Sequence, residues 1–180
     1  MNMRNVGIVV VIIVIAIVGA IILLGSSGGT LVEYDNNFHI TVPADFNVEF
    51  DDEGSITSIA SPDNSYIVIM DELSQTNGNN IAEQYDAIKE QENDPFITAN
   101  FPEVSSYHLG DNTIYELVCT NSSLNRENYA GLDANAVREI SIVFPNSGKV
   151  YDLIFATNGT MSELFTPEIE SIINSTSIEQ

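Results

Sequence analysis

Phe38-His39-Ile40-Thr41-Val42-Pro43-Ala44-Asp45-Phe46 is the stretch on which the fold turns. Apolar and polar side chains alternate from Phe38 to Val42 and the run stops at Pro43, the pattern of a strand with one buried face. Asp45-Phe46-Asn47-Val48-Glu49-Phe50 alternates again, and Asp51-Asp52-Glu53-Gly54 follows as a turn cluster. Ile56–Ala60 and Tyr66–Met70 read as two more strands. The turn Ser61-Pro62-Asp63-Asn64-Ser65 between them has Pro62 suited to its second position. The chain therefore opens its domain with antiparallel strands on short connections.

Downstream, Thr76–Asn80 breaks the sheet pattern. Ile81, Tyr85 and Ile88 then recur at helical spacing, so an amphipathic helix is expected to end before Asp94-Pro95. Further strands are expected near Thr113–Cys119, Val137–Phe144 and Lys149–Thr157, the last two joined by a hairpin loop at Pro145-Asn146-Ser147-Gly148. Thr120–Asn135 reads as a long polar surface loop. Thr160-Met161-Ser162-Glu163 matches a capping box, and Thr166-Pro167 offers a second helix start. Phe165, Ile169, Ile172 and Ile173 form the apolar stripe of the C-terminal helix.

Upstream, Val6 to Leu24 contains no polar side chain. As a helix it spans about 28 Å, close to the hydrocarbon thickness of a bilayer. Arg4 precedes it, and the first charges beyond it are Glu33 and Asp35, so the N-terminus is expected in the cytoplasm and the rest outside. The resulting organisation is a cytoplasmic stub over 1–5, a single-pass signal anchor over 6–24, a Gly/Ser tether over 25–30, and an extracytoplasmic domain over 31–180. Two alternatives stay open: a cleaved signal peptide, or a pilin-like leader cut after Gly7 that leaves a structural filament subunit.

Twenty-six acids against 5 Lys and Arg give a net charge of −21 among 180 residues. That balance excludes nucleic-acid binding by counterion release and favours basic or cation-bridged partners. An apolar content of 44% supports a packed core. The lone Cys119 rules out an internal disulfide framework, and the two histidines leave little for a zinc site.

The order of these elements resembles the PsbP-like superfamily. It embraces the extrinsic PsbP protein of the oxygen-evolving photosystem, the Mog-type Ran-binding import factors and many anchored or secreted prokaryotic proteins. The resemblance rests on the Phe38–Phe46 opening, the strand pair around Ile56–Met70 and the helix Ile81–Gln91. It continues through the hairpin Ser141–Phe155 with Gly148-Lys149-Val150-Tyr151, and the closing Phe165…Ile172-Ile173-Asn174-Ser175. Where family members often carry Trp, this chain has Phe46. The resemblance implies an α+β fold, an antiparallel sheet sandwiched by helices in an α/β/α arrangement. It also implies a binding or assembly module without catalysis, and the residues themselves point to no cofactor or metal.

Few residues carry chemistry. His39 alternates out of phase with Phe38, Ile40 and Val42 and is expected on the opposite face, partly exposed or under a helix. His108 reads as a strand-end residue. Either is the base in the competing reading, an external hydrolase-like enzyme. Cys119 is expected as a buried, inert thiol. Asp51-Asp52-Glu53 lacks the spacing of a calcium loop and reads as a solvated turn. Asn121, Asn158 and Asn174 head N-x-[ST] sequons and are candidate glycosylation acceptors on an external domain.

Overall fold

The computed structural model describes residues 29–34, 37–50, 56–73, 77–92, 103–120 and 134–179. The apolar segment Val6–Leu24, the acidic turn 51–54 and Asn121 lie outside the described residues, as does most of the polar loop read over 120–135. Among the described residues no helix is long and apolar enough to cross a membrane.

Among the described residues, two antiparallel sheets build the domain. The smaller has the order β1-β2-β10, from β1 (Gly29–Tyr34), β2 (Phe38–Pro43) and β10 (Ser177–Ile178). The larger joins β3 (Asn47–Phe50), β4 (Ile56–Ala60), β5 (Ile67–Glu72), β6 (Glu103–Leu109), β7 (Asn112–Thr120), β8 (Ala136–Phe144) and β9 (Lys149–Thr157) in the order β3-β4-β5-β9-β8-β7-β6. The expected turn at Ser61–Ser65 closes through the Asn64 amide on the Ser61 carbonyl at 2.9 Å. It adds an Asp63 side chain that accepts from the Ser65 amide and the Ser61 hydroxyl.

β1 begins inside the stretch read as tether. Gly29 is there for close approach rather than looseness: a Cβ on it would lie 2.6 Å from Thr41 Cγ2 and 3.0 Å from the Val42 carbonyl oxygen. β6 is a strand that hydrophobic alternation does not announce, because five of its seven residues are exposed.

Helix α1 (Gly78–Glu92) starts where Asn77 Oδ1 accepts from the amides of Asn79 and Asn80 at 3.0 and 3.1 Å. It lays Ile81 and Tyr85 onto one face of the large sheet, against Leu117, Cys119, Val137, Val150 and Ala156. The opposite face presents Ile140, Ile142, Tyr151, Leu153 and Phe155. Phe38, Ile40 and Val42 of β2 cover that face together with Leu164 and with Ile169, Ile172 and Ile173 of helix α2 (Pro167–Asn174). Phe38 stacks on Tyr151 at 4.5 Å between centroids, and Phe144 meets both rings edge-on at 6.0 Å.

The α+β class holds: the molecule is mostly antiparallel sheet with a few helices. The three-layer expectation needs correcting on one side. The layer opposite α1 is not helical alone but combines the small sheet, a 3-10 turn (Met161–Leu164) and α2. The reason is the opening strand itself, whose apolar residues all turn to the large sheet and leave α2 only part of the face.

The capping box at Thr160 does not form. Thr160 Oγ1 lies 2.8 Å from Ser162 Oγ instead, and Glu163 Oε2 accepts from Thr157 Oγ1 at 2.8 Å. The restart at Thr166-Pro167 does form, with Thr166 Oγ1 accepting from the Ile169 amide at 3.3 Å. Phe165 leaves the expected stripe, standing 46% exposed while Ile169, Ile172 and Ile173 are buried.

Candidate interaction surface

The two histidines do not come together in a cleft. His39 is buried, 6% exposed, with Nε2 3.8 Å from Glu33 Oε2 on β1. Partial exposure does not describe it: it sits in the middle strand of the small sheet, in one row with Glu33 and Ser177. Among the described residues no hydrogen bond joins Ser177 to His39, so the row lacks the nucleophile–base contact that acyl transfer uses. His108 is exposed on β6, with Nδ1 3.5 Å from Thr113 Oγ1. Cys119 is buried in the core beneath α1, as alternation predicts. Burial, then the nearby Glu139 carboxylate, pushes its thiol up to about 12. Asn158 is exposed just after β9, and its carbonyl accepts from Asn135 Nδ2. Asn174 is exposed at the end of α2, its Nδ2 donating to the Glu170 carbonyl at 2.7 Å.

A different residue organises the surface. Arg138 of β8 falls on the core face, in phase with Ile140 and Ile142, and is 3% exposed. Its guanidinium donates to Glu116 of β7, to Glu170 of α2 at 2.6 Å and to the Leu164 carbonyl at 2.9 Å. Buried charge needs such compensation, since removing one partner strands the other. The Phe165 ring lies over the same guanidinium at 4.4 Å. Tyr107 of β6 stands on this side too. Burial raises its hydroxyl pKa first, then Glu116, against the lowering effect of Arg138. Tyr107 and Phe165 are the exposed large hydrophobics of the described residues, at 37% and 46%. Both therefore border one buried ionic knot. The sequence carried a usable sign of it: one of only 5 Lys and Arg residues occupies an apolar position of A-V-R-E-I-S-I-V-F.

The face under α1 holds a second polar group. Asp152 of β9 is 5% exposed, beside Ser141 of β8 and Asp71 of β5 in register. One of its carboxylate oxygens, Oδ1, has no hydrogen-bond partner. Tyr85 of α1 reaches over it, with its hydroxyl 3.4 Å from Ser141 Oγ. Among the described residues no cluster of three or more His, Cys, Asp or Glu is arranged to hold a metal ion.

Comparison with solved structures finds likenesses of fold. The fold is similar to the solution structure of cyanobacterial PsbP (CyanoP) from Synechocystis sp. PCC 6803, at 10% sequence identity and a TM-score of 0.49, over 89% of this chain and 98% of that one. No family model matches the sequence. No curated protein matches it.

Proposed function

We propose that this chain is a non-catalytic binding or assembly module of PsbP-like fold, held at the cell membrane by Val6–Leu24 with the domain that starts at β1 outside. The observation that carries the binding role is the exposed pair Tyr107 and Phe165 bordering the buried, compensated Arg138. Aromatic rings and arginine are the residue types that concentrate binding energy at protein interfaces. The unbroken apolar run before the domain supports the anchor. The net charge of −21 favours a basic protein partner at the cell surface and disfavours nucleic acid. Exposed Asn158 and Asn174 are compatible with glycosylation there.

The test is crosslinking of intact cells followed by capture through a C-terminal tag and mass spectrometry, comparing the unaltered chain with Tyr107→Ala/Phe165→Ala. A stoichiometric partner that the double variant loses is the expected result. Recovery of the chain without any partner, despite efficient crosslinking, refutes the binding role. A recovered N-terminal peptide containing Met1–Leu24, in a fraction that resists alkaline extraction, is expected for a retained anchor.

A further inference from the structure

The large sheet ends differently at its two edges. On one side β3 is four residues long and its register slips between Glu49 and Phe50, a bulge that blunts pairing. On the other, β6 runs seven residues in unbroken register with β7, from Glu103↔Val118 to Leu109↔Asn112. It contains no proline and no lysine. Among the described residues no main-chain hydrogen bond reaches its outer side. Soluble proteins ordinarily guard such an edge.

The surroundings of β6 suit an added strand. Side chains of a strand alternate between the two faces of its sheet, so a docked segment would touch both. On one face it would meet the Tyr107 ring, with Glu103, Glu116 and Glu170 nearby. On the other it would lie over a small hollow between α1 and β6, lined by Tyr85, Val104, Ser106 and Tyr115 together with the charged pair Asp86 and Lys89. An aromatic with acids on one side and a hollow on the other is what strand addition uses, main-chain bonds supplying affinity and alternate pockets specificity. The charge decides between occupants. A second copy would set one acidic edge, on a chain of charge −21, against another.

We propose that the outer edge of β6, which no described residue pairs, receives an extended, lysine- or arginine-bearing segment of a partner protein as a further strand of the large sheet, its cations beside Tyr107 and its apolar residues over the hollow. This rests on the binding-module reading and specifies how the partner is held.

The probe is a capped Lys-Val-Lys-Val-Lys-Val-Lys peptide, added to the full chain in non-ionic detergent while amide hydrogen exchange is read over 103–109. Exchange of the outward amides is expected to slow at least about tenfold. The Glu-Val counterpart and a version of the Lys peptide methylated on alternate amide nitrogens should give no slowing. Ser105→Pro and Ser106→Pro complete the test, because one of these two adjacent amides points outward. An edge strand tolerates proline there. The variant that keeps the native thermal midpoint should lose the protection. Absence of slowing at millimolar Lys peptide overturns the proposal, as does equal slowing by the methylated or acidic peptide. Concentration-dependent dimerisation that the proline variant abolishes also overturns it, in favour of a second copy. A crosslinked partner retained by the folded proline variant overturns strand addition while leaving the binding module standing. Loss of every partner from the unaltered chain removes the module itself.

Discussion

Asp152 faces Ser141 and Glu139 on β8, Asp71 on β5 and Tyr85 on α1, with no cation among them. Burial first, then Glu139, raises its carboxyl to about 7. The folded domain therefore holds a proton that the unfolded chain releases near the ordinary value of 3.8. Its contribution to stability is complete below about pH 4 and is lost as pH rises through 7. Urea midpoints should fall between pH 5 and pH 8.5. Asp152→Asn should flatten that slope and stabilise the domain at pH 8.5 by something on the order of 3 kcal/mol. A slope unchanged by the substitution would place the effect elsewhere. Arg138 makes the opposite case, a buried charge whose loss strands Glu116 at 14% exposure. Arg138→Ala should cost about 3–5 kcal/mol. Glu170→Gln should cost far less, because Glu170 is 43% exposed and water shares its charge. Cys119 should resist a disulfide reagent at pH 8 in the native state and react at once in urea, its thiol being pushed up to about 12 by burial.

At the scale of elements, the two threonines before the C-terminal helices separate what sequence shows from what it hides. Both Thr160 and Thr166 satisfy a capping pattern, yet only Thr166 caps. Thr166→Ala should lower stability by about 1 kcal/mol, and Thr160→Ala should leave the thermal midpoint nearly unmoved. Local pattern cannot tell them apart, since Glu163 is drawn off by Thr157 on β9, a tertiary contact. Strands β2, β8 and β9 were legible because each carries apolar residues at a spacing of two that the core buries. β6 was not, since exposure on both sides erases the period of two. β10 has two residues and exists only by pairing with β2. The candidate surface was legible in part. Arg138 stood out of phase with its polarity, but Tyr107 and Phe165 approach it only through the packing of β6 and the 3-10 turn. For His39 alternation gave the face but left open exposure or cover, and the structure shows it buried.

For the whole molecule the governing quantity is charge. With 26 acids and 5 Lys and Arg, self-repulsion opposes the compact state. Raising sodium chloride from 0.02 to about 0.5 M shortens the screening length from tens of ångströms to a few. The thermal midpoint should therefore rise with salt, and a flat response would show that the acids are already spaced beyond mutual reach. The small sheet adds a different constraint. Ser175 accepts from the Thr41 amide at 2.7 Å across 134 residues of chain, and β10 then closes on β2 immediately after it. Contacts so distant in sequence form slowly, because the intervening loop must close first. On a ribosome that delivers residues in order, β2 is among the first strands made and among the last completed. Its apolar face, Phe38, Ile40 and Val42, must wait through most of the synthesis of the domain for β8, β9 and α2, which cover it.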